Sequence, residues 1–565
     1  MRWLLFLVFA AAASGAERTT VIILATTDVH GYILPYDDFL QQPAARGLAK
    51  VATIVKQIRK ENPHALLIDC GDTIEGSPLA ALYAAQLRRG DPQAGPNPVI
   101  LAMNEMEYDA MVVGNHEFNY GMPVLLRAKK ESQFPWLSAN IIPLANAVEA
   151  LAVQKREFSK AQATIEERVF EPMIVEDVEG VTVAILGLTT PVIPNWERAE
   201  HIEGYRFESA VDSAKEWVRY ARQNRKADVV VVAAHLGLER SLDTGEPSPS
   251  QLPGENAVEE IARTVPGIDA IIYGHTHQEM AGKAIHGVTL AQAKNWAQSL
   301  AEVTITLERA NDEAPWKVVE KKSRVIAVTD AIEPDAAVLK AVEVYQLATQ
   351  KYLDTPVAEA RAPLDTRLGR VADTGALDAI HEVQLAAGEA DVSLAAMFNT
   401  NVRIPAGPIT VRQLAALYIY ENTLLVIEAT GKTLKDALEH SARFFNGNPP
   451  GINPQVLGFN YDTAAGVSYK IDLSRPVGDR IQELRFQDAP LAADQKLRLA
   501  INSYRHAGGG GYTMLRGAKV LWQSTESVRQ LMIDYYTRKK VIEGRPDNNW
   551  EIVPEAAKKA LLANP

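Results

Sequence analysis

The chain has 565 residues, 47% of them hydrophobic, and a formal charge of −12 with a pI near 5.5. That length is too great for one ordinary core and calls for two or more domains, which the hydrophobic content can supply. The acidic balance excludes a general polyanion-binding surface, so no nucleic-acid polymer is expected as a partner, and an anionic substrate has to be attracted locally.

The N-terminus reads as an export signal. Arg2 is the positive start, Trp3 to Ala13 is an apolar stretch of 11 residues, too short to span a bilayer, and Ser14-Gly15-Ala16 supplies the small residues before a cleavage site. Cleavage is placed after Ala16, which predicts a free periplasmic or secreted bacterial protein with no membrane span in the mature chain. The single Cys70 cannot form an intramolecular disulfide and is taken as a buried small residue.

From Thr20 to about Val328 strand and helix patterns alternate, which implies an α/β domain. Helical spacing of apolar residues covers 47–59, 78–88, 209–222 and 257–263, and strand-like runs lie at 181–186 and 300–307. Residues 145–171 are polar and charged and read as an excursion from the core. Five further apolar runs, 21–25, 65–68, 110–113, 229–233 and 270–273, are each followed directly by a chemical motif. In order these are Asp28-Val29-His30, Gly71-Asp72, Gly114-Asn115-His116-Glu117, Ala234-His235 and Gly274-His275-Thr276-His277. Carboxyl ends of parallel strands line one edge of a sheet, so the motifs can converge on one point.

Near Asp330 the pattern changes. Glu333-Pro334-Asp335 is a helix start, and 336–352 reads as a linker helix. A second α/β unit with more antiparallel character follows, with helices near 373–387, 411–417, 434–445 and 524–538 and strands near 424–429, 468–473, 481–486 and 497–502. The resulting division is a signal peptide at 1–16, a catalytic domain at 17–330, a linker helix at 331–355 and a substrate domain at 356–565.

The motifs supply two Asp, one Asn and five of the chain's 11 His. These oxygen and nitrogen ligands suit two divalent transition-type cations, and the set accepts Mn, Zn, Fe, Co or Mg. Asp72 is the natural bridge, Asp28, His30 and His277 complete one site, and Asn115, His235 and His275 complete the other. Such a pair, about 3.5–4 Å apart, clamps the attacking and leaving oxygens of an in-line displacement and activates water at neutral pH. His116, next to a ligand, is assigned to stabilising charge on the phosphoryl group or the leaving oxygen. The remaining histidines, His64, His201, His286, His381, His440 and His506, are read mostly as structural or solvated.

The ordered motifs resemble those of the calcineurin-like metallophosphoesterases. The stretch 417–424, Leu417 to Leu424, and the stretch 502–512, Asn502 to Tyr512, are similar to the substrate-domain signatures of exported 5′-nucleotidases. The resemblance implies an N-terminal four-layer α/β/β/α metallophosphoesterase domain, a linker helix and a C-terminal α/β nucleotide-binding domain. It implies that Tyr420 and Tyr504 sandwich the nucleobase, that Asn422 meets the base edge, and that Arg403, within Asn399-Thr400-Asn401-Val402-Arg403, lies near the phosphate or ribose, with Asn401 beside it. With the base and the metals on different domains, rotation about 330–352 is expected to open and close the space that admits substrate.

Two departures point within the family. Asn119 stands where many 5′-nucleotidases pair an Asp with the catalytic His, and Gly510 stands where they place an Asp on the ribose hydroxyls. Both resemble the branch that hydrolyses 2′,3′-cyclic nucleotides and 3′-nucleotides. A carboxylate restored at Gly510 is expected to shift preference toward 5′-AMP. The alternatives are a 5′-nucleotidase or nucleotide-sugar hydrolase on the same fold, a relative acting on a thiosulfate-type group, and a catalytically dead secreted binding protein. The last is disfavoured because no expected ligand is missing. The sequence specifies no oligomeric state.

Overall fold

The structure is a computed structural model that describes residues 16–92, 94–144, 168–248, 252–420 and 422–563. All of the predicted signal segment except Ala16, and residues 145–167 of the polar excursion, lie outside the described residues. The chain forms two compact units. One comprises Met1–Tyr36, Ala44–Glu246 and Leu252–Glu343, and the other Asp37–Pro43, Pro247–Gln251 and Val344–Pro565.

The first unit is built on two six-stranded sheets. One runs Lys317–Ala327, Ser299–Arg309, Glu17–Thr26, Leu66–Asp69, Ala110–Val112, Trp136–Leu137, and its last four strands are mutually parallel. The other runs Met280–Ile285, Val288–Gln292, Ala270–Tyr273, Val229–His235, Val181–Thr189, Met173–Val178, with the central four parallel. The strand period of two explains the layering. Val229, Val231 and Ala233 join Val21, Ile23 and Ala25 in one buried cluster between the sheets. The intervening Val230, Val232 and Ala234 pack with Ala214 and Val218 of the helix Ala210–Gln223 and Ile261 of the helix Val258–Thr264. A strand buried on both faces reads as an unbroken apolar run, which is why this one stood out in the sequence.

Four predicted helices of this unit are present as Leu48–Glu61, Pro78–Arg88, Ala210–Gln223 and Val258–Thr264. Two more, Pro98–Glu105 and Met122–Glu131, were not anticipated, although the second buries Val124, Leu125 and Ala128 on one face. The helix Ala336–Leu353 contains the point, between Glu343 and Val344, at which the units divide.

The second unit has a five-stranded mixed sheet in the order Asp462–Ala465, Val392–Ala396, Lys496–Asn502, Thr423–Thr430, Val520–Ser527. Only the pair Val392–Ala396 with Lys496–Asn502 is parallel. A four-stranded sheet contains Val467–Asp472, Ile481–Phe486 and Trp550–Val553. Helices occupy Gly375–Gly388, Val411–Leu417, Gly431–Ser441 and Val528–Lys539. The helix expected at 524–538 starts later, at Val528. Ser527 caps it by accepting from the Gln530 N–H at 3.2 Å, and the preceding residues pair as a strand with Thr423–Thr430.

Candidate metal centre

All five motifs sit at the carboxyl ends of parallel strands, three of them in the sheet that contains Glu17–Thr26 and two in the sheet that contains Val229–His235. Leaving a strand and aiming a side chain back over its end requires an abrupt turn. Asp28, His30, Asp72, His275 and His277 all adopt positive φ, between 49° and 73°. Non-glycine residues held there cost energy, and such strain concentrates at functional sites. The glycines beside them allow close approach. A Cβ on Gly114 would fall on Asp72 Oδ1, and one on Gly274 would fall on Thr27 Oγ1.

The side chains gather into two clusters. Asp28, His30 and His277 form one, and Asp72, His235 and His275 the other, the ligand atoms within each lying within 4.8 Å of one another. In the second, His235 Nδ1 faces the Cys70 carbonyl at 2.8 Å, which fixes its proton there. Its Nε2 lone pair then points at Asp72 Oδ2, 3.0 Å away, and Asn115 Oδ1, 3.1 Å away. With the ring neutral, as a metal ligand must be, these are three acceptors without a donor between them. The first cluster repeats the pattern. His30 Nδ1 faces Glu75 Oε2 at 3.3 Å, and its Nε2 lies 3.1 Å from His277 Nε2, itself 3.5 Å from Asp28 Oδ1. Convergent lone pairs of this kind call for cations, so the residues fit a pair of divalent metals.

Without a cation, a second proton takes its place on His235. Burial disfavours charge on His235, yet the Asp72 carboxylate outweighs it and raises the imidazole to about 10. Burial would lift Asp72, but His235 and His116 hold it well below the usual carboxylate range. Burial lowers His277 to about 4, leaving a neutral ring able to bind metal.

His116 follows Asn115 and donates its backbone N–H to Asp72 Oδ1 at 2.8 Å. Its ring Nε2 stands 3.9 Å from Asp72 Oδ2, and its Nδ1 faces Asn119 Oδ1 at 2.5 Å. Burial works against its charged form, but Asp72 and Glu75 overcome this and raise it to about 9.

Several supporting carboxylates were missed in the sequence. Glu117, fully buried, accepts from the N–H groups of Asp72, Thr73, Ile74 and Gly114 and so ties two motif loops together. Glu75 orients His30, and Glu255 Oε1 faces His275 Nε2 at 3.0 Å. A carboxylate on a ligand's second nitrogen fixes tautomer and ring orientation. Glu117 lies inside a motif, whereas Glu75 lies just beyond Gly71-Asp72 and outside all five. Glu255 lies 20 residues from its histidine, and spacing offers no signal for it.

In the second unit Tyr420 packs edge-on to Phe398, with ring centroids 4.9 Å apart. Burial raises its hydroxyl pKa, and Tyr504 is near enough to add to that shift while Arg370 opposes it. Tyr504 is 39% exposed. Its ring packs against Gly509, where a Cβ would strike ring atoms, and Arg505 Cζ stands 5.3 Å from the ring centroid. Asn422 shares the Tyr418 hydroxyl with Asn502. Arg403 and Asn401 are exposed, with Arg403 paired across from Asp365. Arg370, unremarked in the sequence, is fixed beside Tyr420 by the carbonyls of Met397 and Phe398.

The Gly510 substitution fares badly. Gly510 has φ 69°, and a Cβ there would meet the Asn460 amide and lie 2.8 Å from Arg505 Nη1. Asn460 occupies the space an Asp side chain would need, so an added carboxylate would displace it before reaching any ribose.

The family model of the calcineurin-like phosphoesterases matches residues 22–279, and that of the 5′-nucleotidase C-terminal domain matches residues 355–517. The chain is 28% identical to the trifunctional nucleotide phosphoesterase protein YfkN of Bacillus subtilis, over 98% of this chain but only 41% of that protein's length. It is also 28% identical to the 2′,3′-cyclic-nucleotide 2′-phosphodiesterase/3′-nucleotidase of Haemophilus influenzae, over 96% of this chain and 89% of that one. Among solved structures, it is similar to a Staphylococcus aureus protein named as a 5′-nucleotidase, with a TM-score of 0.76, 26% identity, and coverage of 94% of this chain and 100% of the other. With these matches spread over both units, the chain belongs to the calcineurin-like phosphoesterases that carry a 5′-nucleotidase C-terminal domain, and is a hydrolase of phosphoester bonds.

Proposed function

We propose that the chain hydrolyses nucleotide phosphoesters, with 2′,3′-cyclic nucleotides and 3′-nucleotides preferred over 5′-nucleotides. The observation that carries the hydrolase reading is the convergence of His235 Nε2 with the Asp72 and Asn115 oxygens at 3.0 and 3.1 Å. Asp72 is assigned as the bridge, Asp28, His30 and His277 as holders of one cation, and Asn115, His235 and His275 as holders of the other. Bound there, a divalent pair supplies Lewis-acid stabilisation of phosphoryl charge and an activated water at neutral pH. His116 Nε2 holds the proton that stabilises the phosphoryl group or the departing oxygen. Tyr420 and Tyr504 stack the base, which tolerates different bases because each has a π-face. Asn422, Arg403 and Asn401 are assigned to the nucleoside.

The substrate preference is supported by Asn119 in place of a carboxylate and by the names of the cyclic phosphodiesterase relatives from Haemophilus influenzae and Salmonella typhimurium. Export is supported by the residues that end at Ala16, and the strand Glu17–Thr26 starts directly after them. Intact mass of the exported protein should match a chain starting at Glu17, and a mass retaining residues 1–16 would contradict cleavage.

The test is phosphate and nucleoside release by the Mn-supplemented protein from 2′,3′-cyclic AMP, 3′-AMP and 5′-AMP, beside His116→Ala. Faster turnover of the first two, with a loss of about 10²–10⁴-fold in the variant, is expected. Preference for 5′-AMP would refute the substrate reading while leaving the hydrolase intact. Inactivity on all three with metal bound would refute both.

A further inference from the structure

Asn119 alone is a poor partner for a catalytic imidazole, because its amide oxygen accepts a hydrogen bond but carries no charge. Its surroundings change that. Asn119 Nδ2 donates to Glu197 Oε2 at 2.6 Å while Oδ1 faces His116 Nδ1 at 2.5 Å. A carboxylate can only accept, so Glu197 decides which end of the amide meets the imidazole. With Oδ1 toward the ring, Nδ1 must carry the proton, and Nε2 is the nitrogen left to face the reacting phosphoryl group.

Glu197 is itself fixed. Its side chain is 5% exposed, and Oε1 accepts from His201 Nδ1 at 2.8 Å and from the Arg198 N–H at 2.8 Å. Arg198 Nη1 lies 3.5 Å from His201 Nε2, which keeps the His201 proton on Nδ1, toward Glu197. Glu75 Oε2 lies 3.3 Å from both His116 Nδ1 and His30 Nδ1 and is shared between them. Asn119 Oδ1, at 2.5 Å, is the nearer partner of His116 Nδ1.

We propose that Glu197 is a positioning residue of the reaction. Beside the direct influence of Glu75 and Asp72, a further negative charge is placed one hydrogen bond out from the imidazole, through Asn119. His201, read from the sequence as structural or solvated, completes this relay and buttresses Glu197. The inference rests on the role proposed for His116. Nothing in the motif spacing pointed to it, because Glu197 lies 78 residues from Asn119.

The experiment compares kcat and KM on 2′,3′-cyclic AMP for Glu197→Gln, Asn119→Asp, the double variant and His116→Ala, with metal content and melting temperature measured for each. Supporting shells of this kind are worth about 10–100-fold, and Glu197→Gln should lose that much in kcat with KM little changed. Asn119→Asp alone sets two carboxylates at the 2.6 Å contact and should also be slow. The double variant returns one carboxylate to the relay and should recover most of the kcat lost in Glu197→Gln. A Glu197 that merely anchors its segment would leave the double variant as slow as Glu197→Gln, and that result overturns the proposal, as does a Glu197→Gln protein with full kcat. If His116→Ala keeps full activity, the role given to His116 fails, which is a separate outcome from either of these.

Discussion

Tyr420 and Tyr504 show how far single residues carry specificity. Tyr420 is held edge-on by Phe398, and Tyr504 packs against Gly509. Rings fixed in this way lose little entropy on stacking a base, worth about 1–3 kcal/mol each. Tyr420→Ala or Tyr504→Ala should raise KM for nucleotides by about 5- to 150-fold with a smaller change in kcat. Hydrolysis of bis-p-nitrophenyl phosphate, which has no nucleobase, should change little. Equal losses on both substrates would remove these residues from base recognition. Both tyrosines stood in recognisable stretches, whereas Arg370 carried no such mark, because its placement beside Tyr420 depends on two distant carbonyls.

The helix Gly375–Gly388 buries His381, whose Nδ1 faces Ser393 Oγ at 2.9 Å and whose Nε2 faces Thr463 Oγ1 at 3.2 Å. Burial lowers its pKa from the ordinary 6.5 to about 3. In the unfolded chain it takes up a proton near 6.5, so between those values the unfolded state binds more protons. Its contribution to stability is therefore complete above pH 6.5 and is lost as pH falls toward 3, at about 1.4 kcal/mol per pH unit. Urea unfolding at pH 7 and pH 5 should show His381→Gln losing less stability on acidification than the parent. An equal loss in both would mean that His381 is not the sensor. At this scale much of the fold was legible. Strands buried on both faces announce themselves as apolar runs, and the helix Val411–Leu417 as a run of apolar residues behind its Thr410 cap. The helices Pro98–Glu105 and Met122–Glu131 were not, and the helix at Val528 was placed too early because its cap, Ser527, also closes a strand. The candidate ligands were legible because each follows a strand directly. The carboxylates Glu197 and Glu255 were not, since they reach the site only through tertiary packing.

Across the whole molecule, the claim that organises the rest is that five strand ends, from two sheets, assemble a paired cation site around Asp72. Without a cation His235 keeps a second proton beside Asp72 that a metal must displace, so metal binding is coupled to protonation and to the folding of this unit. Adding metal in excess of its dissociation constant should raise the melting temperature, and chelation should lower it. The most direct measurement is metal stoichiometry by atomic emission on the reconstituted protein, beside Asp72→Ala. Two divalent ions per chain in the parent and a loss in the variant are predicted. One ion or fewer in the parent, or two retained without Asp72, would contradict the account.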